Sequence, residues 1–584
     1  MNKLKLSILL GACAIMATSC EDKLDEDQKG VISMETFYTT DEDSENALIG
    51  LYDQFAQNIT NAGLLGIHNA TFFTYNLCGD DILAAGEFYG DNDFMATLNE
   101  FRYATDHEDL TACYKSFYRI IYAANLIINN VPEHNPNGMS TTQKRCVAEA
   151  RVLRAFSHMM LAIVWNDPPK VTEVLTGNET ITNCDHKELL TWCAEECAEA
   201  YNDLTERESP ADKKATVKVT KGFAKFVEGK SLMFAGDFDG SKKALKEVIA
   251  SGKYELVPGE RMRETFHSYG EANEEVIFAS NIAENTNIDA WSGMIQRSNW
   301  MYSNIMNWRL DHLALAPENV NTGWGGLGVR EDYVADFLMN DNKSVEPTAE
   351  RSYRVQAYFK HIDDIMYEMS YGASDSIDGR ALTLDEKKAD SNRGIKKSLY
   401  GQGKWLEWKR QFNTDENYTG QAFAKRNTLV ARYAEVLLLY AEACARTNDN
   451  DGLQYLNEIQ KRAGSKTESS ELTLDAVKQE KRFEMFVEGC RWPDMVRWYQ
   501  QDNDATIFDR LKDNGKHIPS LYDKYSFAKE DIGKAGNVHE FYVEYSEPNE
   551  GKQVGFTSAE KFMYFPFPFD EVNINKNIVQ HPGW

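Results

Sequence analysis

The strongest constraint on the fold is a helical hydrophobic rhythm that recurs along most of the chain. Over 41–58, Ala47, Leu48, Leu51, Tyr52 and Phe55 fall on one face of a 3.6-residue period. Over 108–131, Tyr114, Phe117, Tyr118, Ile121, Ile128 and Val131 continue the same pattern. Further helices are expected at 141–165 and 188–204, and Asp167-Pro168-Pro169 stops the first of these two. Two segments read as helical hairpins. In one, 222–234 leads through Ala235-Gly236-Asp237-Phe238 into 241–250; in the other, 430–446 leads through a polar turn into 453–463. The expected fold class is mainly α.

Small residues beside a Gly-Asp-aromatic turn resemble tetratricopeptide pairs. The period is irregular, so scattered pairs are expected, not a uniform solenoid. Between the hairpins, 254–418 is rich in Gly, Asn, Ser, Trp and Tyr and weak in helical pattern. Such an insert on a helical scaffold reads as functional loops. The last helices, over 474–498, precede a loop-rich tail ending Phe565-Pro566-Phe567-Pro568. The expected organisation is a leader at 1–19, a helical region at 20–253 and a C-terminal region at 254–584 that contains the insert.

The leader has a chemistry of its own. Lys3 and Lys5 precede the apolar run 6–16, then Ala17-Thr18-Ser19-Cys20, then a cluster of acids. A basic start, a short apolar stretch and small residues form a secretory signal. The run is shorter than the roughly 20 residues that span a bilayer. Cys20 directly after the small residues resembles the lipobox of bacterial lipoproteins, so Cys20 is the expected lipidated residue. Loss of 1–19 removes two lysines and no acids, taking the formal net charge from −28 to −30. That charge argues against nucleic acid and anionic surfaces as partners. Of the remaining cysteines, Cys113 and Cys444 lie in apolar helical patterns and read as small core residues. Cys193 and Cys197 are four apart, with only His186 near, too few ligands for zinc.

Several pieces, in order, resemble the SusD/RagB family of Bacteroidetes surface glycan-binding lipoproteins. They are Phe37-Tyr38-Thr39-Thr40, 47–52, 235–238, 248–254, 432–443, the set Arg482, Glu484, Glu488, Gly489, Arg491, Trp492 and Asp494, and the ending 565–568 through 580–584. Their charges read as structural. Arg432, Glu435 and Glu442 share one helix, and Arg482, Glu484, Glu488 and Arg491 are placed to form an ion-pair network with it. The resemblance implies a helical fold with tetratricopeptide-like pairs. It also implies a tether to the outer membrane and a SusC-like TonB-dependent transporter as partner, over which this chain acts as a lid that captures ligand.

Composition supplies the binding candidates. Trp291, Trp300, Tyr302, Trp308 and Trp324 fall in one irregular stretch beside Asn299, Asn304, Asn307, Arg309 and Asn321. An aromatic ring offers an apolar face to the C–H face of a sugar, and neighbouring polar groups reach its hydroxyls. The alternative is that some of these rings are core. A second candidate is the loop 80–92, with Asp81, Phe88, Tyr89 and Asn92; its alternative is a solvated surface loop. Trp405 and Trp408 alternate with polar residues and fit a half-buried strand equally well.

Three motif-like strings carry no chemistry. Gly323 to Gly328 fits G-x-G-x-x-G, but no buried strand precedes it. Asp449, Asp451, Gly452 and Glu458 have EF-hand spacing, but Thr447 stands at the first ligand position, and a turn between paired helices explains them. His107-Glu108 lacks the second histidine of a zinc protease motif. The expectation is therefore a binding protein without cofactor, metal or catalytic residue that delivers oligosaccharide to its transporter. Two alternatives are a peptide-binding scaffold of the same uptake complex and a glycoside hydrolase. The hydrolase requires a carboxylate pair across a cleft that no motif here demands.

Overall fold

A computed structural model describes residues 37–60, 70–84, 93–177, 179–266, 272–280, 327–340, 352–361, 376–377, 380–381, 405–407, 427–465, 468–517, 519–523, 541–545 and 555–584. In chain order the N-terminal elements are α1 (Asp41–Thr60), α2 (Ala70–Leu77), β1 (Ile82–Ala84), α3 (Asp93–Asn99), α4 (Glu108–His134), α5 (Thr141–Trp165), α6 (His186–Ala200), α7 (Lys221–Ala235) and α8 (Phe238–Ala250). Next come β2 (Val276–Ser280), β3 (Leu327–Val329), α9 (Glu331–Asn340), α10 (Tyr353–Tyr358), β4 (Phe359–His361), β5 (Ser376–Ile377), β6 (Arg380–Ala381), β7 (Trp405–Glu407) and β8 (Thr428–Arg432). The C-terminal elements are α11 (Tyr433–Arg446), α12 (Gly452–Arg462), α13 (Leu474–Glu484), α14 (Arg491–Asp502), β9 (Pro519–Asp523), β10 (Phe541–Tyr545), α15 (Ala559–Phe562) and α16 (Phe569–Ile574).

Local chemistry sets the helix ends. Ser140 and Gln143 form a reciprocal capping box at the start of α5. Thr220 caps α7 through the Phe223 N–H, and Asp237 caps α8 through the Gly240 N–H. Between them Gly236 stands at φ 80°, a left-handed position that glycine occupies at no steric cost. The expected Ala-Gly-Asp-Phe hairpin is therefore built as its residues suggest. Where α7 crosses α8, Gly229 leaves room for Leu245, and Ser241 Oγ donates to the Gly229 carbonyl at 2.7 Å.

The helices pack in sequence: α4 on α5, α5 on α6, α6 on α7, α7 on α8. The next partner of α8 is α11, far along the chain, and α11 then packs on α12 and α13. The helical array thus continues across the insert as though the insert were absent. The device that permits this is an antiparallel pair, β2 with β8, in which Ser280 opposes Thr428. Chain leaves the array at Ser280 and returns beside it at Thr428.

The structure departs from the expected helix boundaries in two places. Residues 430–432 are strand, not helix, and α11 begins at Tyr433. The β-branched and alternating run Thr428-Leu429-Val430 pairs with β2 in preference to extending the helix. The helix expected to reach 204 ends at Ala200 and gives way to a 3-10 turn over Tyr201–Asp203, while the expected last helices stand as α13 and α14, separated by a turn where Val487 and Gly489 take φ values of 57° and 73°. The proline-rich ending is a structural clasp. Trp165 Nε1 donates to the Pro566 carbonyl at 3.0 Å, Phe565 and Phe567 are fully buried, and Trp584 stacks on Tyr103 at 5.4 Å.

The expected ion-pair network exists in part: Glu484 and Glu488 meet Arg432, whereas Arg482 and Arg491 pair with Asp80 instead. Arg432 donates to Glu484 at 2.6 Å, to Glu488 at 2.7 Å and to Glu275 at 2.7 Å. Glu435 and Glu442 pair elsewhere: Glu435 with Lys230 at 2.8 Å, Glu442 with Arg497 at 2.7 and 2.8 Å. These charges are buried and joined to one another, which fixes how α7, α11, α13 and α14 meet. The eight described cysteines, Cys113, Cys193, Cys197 and Cys444 among them, are buried free thiols.

Candidate functional site

Of the residues expected to touch ligand, Asp81 is described. Trp291, Trp300, Tyr302, Trp308, Trp324, Phe88, Tyr89 and Asn92 lie outside the described residues, as does Cys20. The structure does describe the roots of both candidate segments, and it brings them together. Strand β1 pairs antiparallel with β3: Ile82 opposes Val329, Leu83 opposes Gly328 and Ala84 opposes Leu327. The Arg330 N–H donates to the Asp81 carbonyl at 2.9 Å and continues the ladder by one step.

The direction of the pairing matters. Residue 85 follows Ala84, and residue 326 precedes Leu327, so both segments depart from the same end of one ribbon. Facing Cα atoms in such a ladder are about 4.5–5.5 Å apart. Trp324 is three residues from Leu327, a reach of at most about 11 Å; Phe88 is four from Ala84, at most about 14 Å. Two aromatic-bearing segments more than two hundred residues apart in sequence are therefore anchored side by side.

Beneath the ribbon lies a buried ionic platform. Arg491 donates to both oxygens of Asp80, at 2.6 and 3.0 Å. Arg482 and Arg510 stand 3.6 and 3.7 Å from the same carboxylate. Burial would push the Asp80 carboxyl up, but these three guanidinium groups outweigh it and hold it well below the usual range. Arg330 grips Asp332 at 3.1 and 2.9 Å, and its other arm reaches Asn514. Arg510 joins the two halves through Asp332 at 3.0 Å and Asp336.

Asp81 belongs to this platform. It is 1 % exposed, and its Oδ1 has no hydrogen-bond partner. Burial, and then the neighbouring Asp80 charge, push its carboxyl up to about 7. The structure thus buries Asp81 at the start of β1, beside Asp80. The partners Asp80, Arg330, Asp332 and Arg510 were not among the sequence candidates. The one signal was the Asp80-Asp81 doublet closing an apolar helix, which reads equally as a turn.

The chemistry available here is positioning. Among the described residues no three His, Cys, Asp or Glu side chains converge as metal ligands. The EF-hand-like carboxylates serve the turn between α11 and α12: Asp451 accepts from Lys246 at 2.7 Å and Tyr440 at 2.6 Å, and Asp449 from Lys242 at 3.2 Å. Strand β7 contains Trp405 and pairs with β4, as the alternation there suggested. Among the described residues no helix is long and apolar enough to cross a membrane.

This arrangement defines a class: a helical, tetratricopeptide-like scaffold whose insert is clamped by β2 with β8 and contains the partner of β1. The fold is similar to that of surface glycan-binding protein A from Bacteroides thetaiotaomicron, solved in complex with laminarihexaose. The two match with a TM-score of 0.67 at 18% identity, over 93% of this chain and 100% of that one. A structure described as a laminarin binding SusD-like protein matches at TM-score 0.65 and 20% identity, over 93% and 99%. Residues 274–584, more than half the chain, match the SusD family model, and the chain belongs to that family. Residues 66–191 match a second model described as starch-binding associating with outer membrane. Among curated proteins, a SusD-like protein of Bacteroides ovatus is 24% identical over 513 residues, 84% of this chain and 82% of that protein. SusD-like protein P25 of Formosa agariphila is 23% identical over 500 residues, 82% and 87%.

Proposed function

We propose that this chain is a non-catalytic glycan-binding lipoprotein of the outer cell surface. It is tethered through Cys20 after removal of 1–19. It captures oligosaccharide and hands it to a SusC-like TonB-dependent transporter. The ligand site is formed by the segments carrying Phe88, Tyr89 and Asn92 and carrying Trp291, Trp300, Tyr302, Trp308 and Trp324, over the Asp81 platform. The observation that carries this reading is the pairing of Ala84 with Leu327, which roots both segments at one ribbon end. A rigid base lowers the ordering cost of binding a heavily hydrated sugar. A carbohydrate ligand is further supported by the laminarihexaose and laminarin named for two structural neighbours.

Calorimetric titration of the soluble form beginning after Cys20 against a panel of oligosaccharides tests the reading. Saturable binding that is lost in the combined Trp291→Ala, Trp300→Ala and Trp324→Ala variant is the expected result. Binding untouched by those changes would remove the aromatic site. Sustained release of reducing ends would remove the non-catalytic assignment.

A further inference from the structure

Strand β1 with β3 is a ribbon of three facing residue pairs, and among the described residues neither strand has another partner strand. Two strands that short are marginally stable at best on their own. Their pairing therefore needs support from outside the ladder. The Arg330 N–H donates to the Asp81 carbonyl at 2.9 Å. Hydrogen-bonded and non-hydrogen-bonded pairs alternate along an antiparallel ladder, so the next pair, Ile82 with Val329, is a non-hydrogen-bonded one. The Ile82 carbonyl thus points away from β3 and takes its partner elsewhere.

Asn99, the last residue of α3, is that partner. Its Nδ2 donates to the Ile82 carbonyl at 3.2 Å and to the Leu77 carbonyl, at the end of α2, at 2.9 Å. The Asn99 carbonyl accepts from Asn514 Nδ2 at 3.2 Å, and Asn514 Oδ1 accepts from Arg330 Nη1. Asp332 orients the Arg330 guanidinium from its other side, at 3.1 and 2.9 Å. A second connection thus runs from β1 to the residue that follows β3: Ile82, Asn99, Asn514, Arg330. All four are buried. Asn514 is its uncharged centre. Its donor end meets a carbonyl and its acceptor end a guanidinium, and one amide offers both at a fixed separation.

We propose that Asn514 is a positioning residue for ligand binding: by bridging Asn99 to Arg330 it holds β1 on β3 and sets where the two strands end, at Ala84 and Leu327. The ligand in this inference rests on the glycan reading; the bridge itself does not. The bridge closes the ribbon at its Asp81–Arg330 end, and the segments of the glycan reading leave from the opposite end. Without the bridge the strands are paired for a smaller fraction of the time. A ligand that needs the paired form then binds more weakly by that fraction.

Hydrogen exchange read by mass spectrometry tests the bridge without ligand, on the chain beginning after Cys20. In Asn514→Ala, peptides covering 82–84 and 327–330 are expected to exchange about tenfold faster, and those covering α7 and α8 at an unchanged rate. Calorimetric titration with oligosaccharide, at a temperature where both proteins are folded, should show affinity weakened about three- to tenfold. Oxidised Ala84→Cys with Leu327→Cys ties the strands directly. It should bring the affinity of the Asn514→Ala chain to within about twofold of the same cross-linked chain with Asn514 intact. A role in global stability alone would speed exchange everywhere and would not be rescued by the cross-link. If Asn514→Ala does not fold, Asn514→Asp decides. It keeps the acceptor for Arg330, loses the donor to Asn99, and should show both effects to a smaller extent. The proposal is overturned by unchanged exchange at the ribbon, by equal acceleration across the chain, by unchanged affinity, or by a loss of affinity that the cross-link does not restore. A native chain that binds no oligosaccharide would overturn the glycan reading instead, and the exchange comparison would still decide the bridge.

Discussion

Arg491 and Asp80 lie 411 residues apart in sequence and meet as a two-point ion pair, with Asp80 buried and the Arg491 side chain 11% exposed. The pair fastens the start of α14 to the turn that launches β1, so the ribbon end is set by the C-terminal helices. Removing Arg491 leaves the buried Asp80 carboxylate with only the more distant Arg482 and Arg510, at 3.6 and 3.7 Å. Arg491→Ala is therefore expected to destabilise the fold, with the roughly 3–5 kcal/mol of a fully unpaired buried charge as the upper bound. Arg491→Lys should fall between the two, because an ammonium cannot grip both oxygens in plane. The midpoint of urea unfolding measures both; equal midpoints for all three proteins would show that the pair is not structural.

Asp81 should make stability depend on pH in an unusual direction. Its carboxyl is raised to about 7 in the fold from an ordinary 3.8. The folded chain then holds a proton that the unfolded chain releases, so this group favours the fold most below about pH 4 and loses that advantage as pH rises to about 7. The span corresponds to at most about 4 kcal/mol. Asp81→Asn removes the slope, so its gain over wild type should be larger at pH 8 than at pH 5. Thermal melts at the two values decide; parallel shifts would count against the raised carboxyl.

The ribbon itself can be trapped. Ala84→Cys with Leu327→Cys places two thiols at facing positions of an antiparallel pair, within disulfide reach. Oxidation should consume both added thiols and leave the eight buried native ones intact. Oligosaccharide affinity is expected to hold or improve, since the cross-link fixes a root that is already paired. A double variant that keeps all its thiols after oxidation would contradict the register.

Gly229 tests the helix pair. A Cβ there would stand 2.5 Å from Leu245 Cγ and 2.7 Å from its Cδ2. Alanine raises intrinsic helix preference by about 1 kcal/mol. Overpacking a tight crossing costs about 1–3 kcal/mol, and Leu245 is itself fully buried. Gly229→Ala is expected to lower the melting temperature in spite of its better propensity. A higher melting temperature would mean that α8 shifts freely.

Much of the helical scaffold was legible in the residues alone, because amphipathic periodicity, caps and turn glycines act over a few positions. The period over 108–131, the Pro168-Pro169 stop and the Ala235 to Phe238 hairpin each gave an element where the structure has one. The pattern also named most of the charges that became the buried network, though not all of their partners. Lys230, Glu275 and Arg497 joined it because packing brought α7, β2 and α14 against α11. Residues 430–432 misled for a related reason: the short run 428–432 is ambiguous until its partner strand is known. The pairing of β1 with β3, from which the 80–92 and 291–324 segments depart, was beyond local reading altogether. Nothing near Ala84 specifies Leu327; only the closing of the helical array around the clamped insert sets that pair. Short-range stereochemistry therefore determined which helices form, and the tertiary structure alone decided which distant strands pair, because that choice depends on burial and charge pairing between residues hundreds of positions apart.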